Sequence, residues 1–260
     1  MKAETNKDYG YIGKGDDDKT FHIPKGRLIS GYTIGILHLD VWYPLIPGNV
    51  VNAYTYDFPV RMKEIPNAVQ SRVHAGDPTL VDDIIHAGRE LEREGVRAIC
   101  GACGYLGNFQ SQVSEALDVP ILLSSLVQVP MIKVILKKEQ KVGILCADGP
   151  SLTPAVLKNC GVDPSSCLVK GIGDQPQFSA ILNSNIGHFD NTAVRKEVVE
   201  GAKSLVKDHP EIGAILLECS DMPPYSSDVQ KAVNLPVFDF ITMIKWAHSS
   251  VAQKSYHGFI

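Results

Sequence analysis

The chain has 260 residues, 44% hydrophobic and 21% charged, with 29 acidic against 25 basic side chains and a net charge of -4. That length supports a substantial core in one large or two moderate domains, and the composition excludes collagen-like and low-complexity classes. The near balance of charge carries no footprint for nucleic acid or an anionic membrane surface, so neither is expected as a partner.

No window reaches the roughly 18 uncharged apolar residues of a membrane helix; the longest apolar run, PILLSSLVQVPMIKVIL, is broken by Pro130 and Lys133. The N-terminus lacks the apolar core of a signal peptide. A cytoplasmic location follows as an expectation, with the six cysteines free rather than bridged. Four of them are scattered singly and there is no second C-x-x-C, a pattern that speaks against a zinc site.

Residues 1–30 are polar and aperiodic and read as an N-terminal tail. After them TIGILHLD (33–40) is a short apolar run with the character of a buried strand. A helix follows further on: Asp77 caps it, Pro78 opens it, Asp82 and Asp83 sit in its first turn, and Leu80, Val81, Ile84, Ile85 and Leu91 recur at helical spacing. The strand GVRAICGACGYLG then ends in a glycine-rich turn, and VPILLSSLVQVPMI comes next.

The pattern repeats. KVGILCAD (141–148) matches the first strand 108 residues later, while IGAILLECSDMPP and LPVFDFITMIKWA match the next two blocks at an offset of 116. A second amphipathic helix, near 192–207, carries Val194, Val198, Val199, Ala202, Leu205 and Val206 on one face. Strand and helix alternating at this rhythm predict an α/β fold with parallel sheets. Three blocks repeated in order predict two pseudo-symmetric lobes, 31–138 and 139–233, each a parallel sheet flanked by helices. Residues 234–260 supply a last strand and a C-terminal helix, which can cross back to the first lobe. Ligands bind beyond the carboxyl ends of parallel strands, so the cleft between the lobes is the expected active site.

In AICGACGYLGNF the repeat separates the two cysteines. Cys103 aligns with Cys219 at the end of a strand, whereas Cys100 aligns with Leu216 and reads as a small core hydrophobe. Two thiols across a cleft suit removal of a proton α to a carboxylate. A thiolate is a competent base where backbone dipoles or a helix N-terminus lower its pKa. The turns GYLGN and SDMPPYS supply backbone N–H groups for that purpose and for a substrate carboxylate.

The blocks GILHLDVWYPLIPGNVVNAYTYDFPV, CGYLGNFQ, SSLVQVP and AILLECSDMPPYS…LPVFDFIT resemble the aspartate/glutamate/hydantoin racemase superfamily over nearly all of 31–250, in a branch that also resembles algal dimethylsulfoniopropionate lyases. The resemblance implies a pseudo-symmetric two-lobed fold, a dimer or tetramer, no cofactor and no metal. It places the acid and base on Cys103 and Cys219. Amino-acid racemases usually carry Asn-Thr or Thr after these cysteines; here Gly104 and Tyr105 follow the first, Ser220 and Asp221 the second.

The leading expectation is therefore a cofactor-independent racemase of a small carboxylate or amino acid. The alternatives are a lyase giving acrylate and dimethyl sulfide from an onium propionate, and a non-catalytic ligand-binding relative. His38 and Asp40 at the end of the first strand, with Ser125 and Thr242, join Gly104, Tyr105, Ser220 and Asp221 as candidate substrate-binding residues. Aromatics cluster nearby: Trp42, Tyr43, Tyr54, Tyr56, Phe58, Tyr105, Phe109 and Tyr225 are candidates to hold an onium group by cation–π attraction. Arg61 reads as a substrate ligand or a surface ion pair, and Cys146, Cys160 and Cys167 carry no assigned role.

Overall fold

Two four-stranded parallel sheets with the same strand order carry the chain. The computed structural model describes Thr20, residues 29–182 and residues 187–260; the polar tail read at 1–30 lies almost wholly outside the described residues. In the first sheet β1 (Ile34–His38), β2 (Val60–Glu64), β3 (Ala98–Gly101) and β4 (Ile121–Leu122) run in the order β2-β1-β3-β4. In the second, β5 (Lys141–Cys146), β6 (Cys167–Gly171), β7 (Ile212–Leu217) and β8 (Val237–Phe238) run β6-β5-β7-β8. The repeated sequence blocks thus become repeated topology, strand for strand.

The central strands form where the sequence predicts them because their residues are apolar and bounded by turns. Every residue of β3 and β7 is buried, as a parallel strand covered on both faces requires. The matched glycines Gly35 and Gly143 share a cause. A Cβ on Gly35 would stand 2.8 Å from Leu91 Cδ1, and one on Gly143 would stand 2.9 Å from the Cδ1 atoms of Ile212 and Ile215.

The helices cover the sheets. After the short α1 (Gln70–His74), α2 (Val81–Arg93) turns Ile84, Ala87, Gly88 and Leu91 inward, entered through a 3₁₀ turn that Asp77 caps by accepting from the Thr79 N–H. Next come α3 (Gln110–Ala116), α4 (Val129–Val134), α5 (Pro154–Asn159) and α6 (Phe178–Leu182). The second predicted helix is α7 (Asn191–Asp208), capped by Asp190 and burying Val194, Val198, Ala202 and Leu205. α8 (Ser226–Val233) precedes β8, and α9 (Phe240–Val251) ends the chain's regular structure.

The helices after the last strands exchange partners between sheets. α4 packs on β5 of the second sheet, and α9 packs on β1 and β3 of the first. Phe240, Met243, Ile244 and Ala247 form the inner stripe of α9 and bury Cys100 with Ile34, Ile36 and Ala98. Cys100 is fully buried there, as its apolar partner in the repeat predicts. Arg61 pairs with Glu94 at 2.5 Å, the surface ion pair rather than a substrate ligand. Among the described residues no helix is long and apolar enough to cross a membrane.

Candidate active site

Both candidate cysteines, Cys103 and Cys219, stand just beyond the carboxyl end of an inner strand. Cys103 is the N-cap residue of the 3₁₀ turn Gly104–Phe109, in extended backbone geometry at φ -160° and ψ 127°. Cys219 lies two residues past β7, and the turn Pro223–Tyr225 leads from it into α8. The strands end at the junction of the lobes, and polar contacts knit that junction. The Tyr105 hydroxyl donates to Asp148 O at 2.7 Å and accepts from Asp148 N at 2.6 Å, while Val50 N donates to Ser220 O at 3.4 Å.

Cys103 and Cys219 line one cavity of about 50 Å3. At 10–15 Å3 per water that is room for roughly three to five water molecules, which favours a compact substrate. His38, Gly104, Tyr105, Ser220 and Asp221 line it as the sequence predicts, and Val41, Val51 and Ile181 give it apolar wall. Among the described residues no Lys or Arg does so. Its acidic groups are two buried carboxyls, Asp221 and Glu218.

Asp221 is held by three donors. Its Oδ1 accepts from the Tyr43 hydroxyl at 2.9 Å and from Asn49 Nδ2 at 2.5 Å, and its Oδ2 accepts from Cys219 Sγ at 3.5 Å. Burial raises its pKa and these hydrogen bonds pull it back. Glu218 is the opposite case. It has no exposed surface, and neither carboxyl oxygen has a partner at hydrogen-bond geometry. Burial pushes its pKa up to about 8; the Ala147 N–H pulls it down and the charge of Asp148 pushes it further up.

The thiols differ from the sequence expectation. The Tyr105 and Leu106 N–H groups do favour the Cys103 thiolate, and the Asp221 N–H favours that of Cys219. Burial and the charges of Glu218 and Asp221 outweigh them, so Cys103 is pushed up to about 12 and Cys219 well above its ordinary value. A helix-like turn supplies a fraction of a charge, less than two nearby carboxylates in a low-dielectric pocket take away.

Asp40, Ser125 and Thr242 are not brought to the cavity. β1 ends at His38, and from there Leu39, Val41 and Tyr43 face inward on alternate positions, which turns Asp40 and Trp42 out to solvent. Ser125 is buried with its hydroxyl donating to Glu218 O at 3.4 Å. Thr242 belongs to a capping box: Asp239 accepts from Thr242 N at 2.8 Å, and Thr242 Oγ1 accepts from Asp239 N at 2.9 Å. Replacing Thr242 with alanine is therefore expected to cost about 1 kcal/mol of stability and leave turnover unchanged, read by denaturant titration beside an activity assay.

The aromatic cluster also thins. Tyr43 and Tyr105 stand at the cavity. Trp42 and Tyr54 are exposed, Tyr56 packs on Phe58, Phe58 stacks on His248 at 3.7 Å, Phe109 lies in the core, and Tyr225 donates to Asn191 Oδ1 at 2.9 Å. His38 Nδ1 donates to Leu39 O at 3.0 Å, which leaves Nε2 as the acceptor of the neutral ring.

Sequence reasoning missed Gln70, His74, Asn49 and Glu218. His74 sits 3.9 Å from the Tyr105 ring and its Nδ1 lies 3.5 Å from Asp148 Oδ2; burial lowers its pKa against the pull of that carboxylate. Glu218 did carry a signal, an acidic residue closing the apolar run AILL. It also explains the Gly104 that replaces the usual amino-acid grip. A Cβ on Gly104 would lie 1.7 Å from Glu218 Oε1, so the carboxyl occupies the space that a side chain would need.

No family model matches the chain. Among curated proteins, a dimethylsulfoniopropionate lyase from Durusdinium sp. clade D is 32% identical over 221 residues, spanning 82% of this chain and 73% of the relative. Dimethylsulfoniopropionate lyase 7 from Emiliania huxleyi is 32% identical over 223 residues, spanning 81% of this chain; the chain covers 64% of that relative's length. Among solved structures, allantoin racemase from Pseudomonas fluorescens superposes with a TM-score of 0.58 at 14% identity, over 87% of this chain and 100% of the other. Picrophilus torridus aspartate racemase gives 0.53 at 17% identity, over 87% and 96%. Unliganded arylmalonate decarboxylase gives 0.53 at 14% identity, over 86% and 94%. The fold is that of the aspartate/glutamate/hydantoin racemase superfamily, and by sequence the chain belongs to the dimethylsulfoniopropionate lyase family.

Proposed function

We propose that the chain is a carbon–sulfur lyase that removes the α-proton of an onium propionate and expels a neutral sulfide. The observation that carries this reading is the acidic lining of the cavity: two carboxyl groups, two thiols and, among the described residues that line it, no Lys or Arg. Such a site favours a substrate with a compact positive end. Asp221 offers that end a counter-charge and Tyr43 a ring face, worth about 0.5–2 kcal/mol by cation–π attraction. Val41, Val51 and Ile181 give its methyl groups an apolar surface.

The two thiols have unequal surroundings. Cys219 donates to Asp221, which keeps its proton in place and leaves the base role to Cys103. Cys103 stands at the head of the turn whose Tyr105 and Leu106 N–H groups favour its thiolate, Leu106 N also donating to Cys103 O at 3.1 Å. A bound cation beside Cys103 lowers that thiol further, against the effect of burial. The thiolate takes the Cα proton and forms S–H. The C–H electron pair becomes the Cα=Cβ bond, and the Cβ–S pair leaves with dimethyl sulfide. Acrylate remains, and one proton per turnover must reach water.

Racemisation is the second reading, favoured by two thiols in one cavity, where Cys219 would return a proton to the opposite face. Incubation in deuterated water with onium propionates and a panel of amino acids, followed by NMR, separates the two. Acrylate with dimethyl sulfide supports the lyase, and α-deuteration with change of hand supports the racemase. Exchange or turnover with neither class would leave ligand binding without catalysis. Within the lyase reading, Asp221→Asn is expected to raise KM for the onium substrate tenfold or more, a loss of about 1.4 kcal/mol of binding, in steady-state assays.

A further inference from the structure

Glu218 is a cavity-lining carboxyl that the mechanism above leaves without a task. It has no exposed surface, and both of its oxygens lack a hydrogen-bond partner. A buried polar group left unpaired costs stability, so its presence on the wall of the site needs a reason. Its placement gives one. Glu218 is the chain neighbour of Cys219, yet its Oε1 lies against Gly104, the residue after Cys103, closely enough to forbid a Cβ there.

The second carboxyl of the cavity serves as the comparison. Asp221 is stabilised as a carboxylate by Tyr43, Asn49 and Cys219, and each of those bonds weakens it as a base. Glu218 has none of them. A desolvated carboxylate with no side-chain donor, only the Ala147 N–H nearby, is the stronger proton acceptor of the two, and it is the one set against the Cys103 segment.

We infer that Glu218 is a positioning residue for proton transfer, taking the thiol proton of Cys103 and holding it while Cys103 acts as thiolate. This rests on the Cys103 base of the proposed function. The Cys103 S–H bond breaks and a Glu218 O–H bond forms. The thiolate then takes the α-proton and regains S–H, and the Glu218 proton leaves to water with the products. The cycle closes with one proton released, as β-elimination from an onium propionate requires. Gly104 leaves the acceptor the space that a side chain would fill.

The test combines Cys103 alkylation by iodoacetamide, mapped by peptide mass spectrometry, with dimethyl sulfide release from dimethylsulfoniopropionate, in wild type and Glu218→Gln. The amide removes the negative charge that disfavours the thiolate. Alkylation of Cys103 is therefore expected to rise several-fold at alkaline pH, while turnover falls about 100-fold. Because loss of structure would also expose this buried thiol, the buried Cys100 serves as the internal control: its alkylation is expected to stay at the wild-type level in Glu218→Gln, and a parallel rise at Cys100 overturns the inference. The wild-type rate is also expected to climb with pH until Glu218 is ionised, near 8, and the variant to lose that limb. Because the folded state binds this proton more tightly than the unfolded chain, wild-type stability falls as pH rises from the ordinary carboxylate range through about 8, and Glu218→Gln flattens that slope.

Unchanged alkylation in Glu218→Gln overturns the inference, and so does faster alkylation with undiminished turnover. If Glu218→Gln does not fold, Glu218→Asp takes its place: it keeps the charge, so alkylation close to wild type with reduced turnover supports the inference and full turnover overturns it. If wild type releases no dimethyl sulfide, the lyase reading fails, and the alkylation arm still decides whether Glu218 and Cys103 share a proton.

Discussion

Replacing Cys103 with serine is expected to lower turnover by about 10³-fold or more, because an alcohol cannot supply the base that a thiolate supplies. The same change at Cys219 separates the two chemistries. In an elimination Cys219 is a donor held by Asp221, and a serine hydroxyl in its place still donates, so part of the activity survives. In a racemisation both faces need a proton-transfer group, and either substitution ends turnover. Cys100→Ala is the control. Its side chain is buried under α9 among Ile34, Ile36 and Met243, away from the cavity, so the rate is expected to stay at the wild-type value. Stopped assays on the three purified variants give all of these results together.

Gly104→Ala is expected to be the most damaging single methyl in the site. The added Cβ would lie 1.7 Å from Glu218 Oε1, and the carboxyl has no exposed surface, so either the turn or the Glu218 side chain must move. Overpacking of this kind costs about 1–3 kcal/mol. A shifted turn also misplaces Cys103, and about 1 Å of misplacement can cost 10²-fold in rate. The clash has a specific remedy. Combining Gly104→Ala with Glu218→Ala removes the obstructing carboxyl, so stability is expected to recover while activity does not. Thermal denaturation of the single and double variants beside their turnover checks both halves of that statement.

Much of this architecture is legible in the sequence, because repetition is a stronger signal than any one strand. The offsets of 108 and 116 pair β1 with β5 and β3 with β7, and they single out Cys103 over Cys100 before any coordinate is known. The edge strands β2 and β6 were not read. Their residues, VRMKE and CLVKG, are largely half-exposed and mixed in character, so hydrophobic pattern alone does not mark them.

The site is legible in part for the same reason. Residues next to the cysteines are fixed by chain connectivity, so Gly104, Tyr105, Ser220 and Asp221 arrive where expected. Asn49, Gln70 and His74 come from elsewhere in the first lobe, and only the docking of the two lobes reveals them. Asp40 was misplaced by a single step of alternation once β1 had ended. The raised thiol pKa values are not legible in the sequence, because a turn's N–H groups can be read from it, whereas the burial and carboxylates opposing them belong to the packed structure.

β-Elimination in this cavity is expected to release one proton per turnover. The direct measurement incubates the purified chain with dimethylsulfoniopropionate and follows dimethyl sulfide in the headspace, acrylate in solution and acid release by pH-stat. Equimolar dimethyl sulfide, acrylate and proton, absent from Cys103→Ser, is the predicted result. No dimethyl sulfide from dimethylsulfoniopropionate, together with inversion of an amino acid and no net proton, would contradict it.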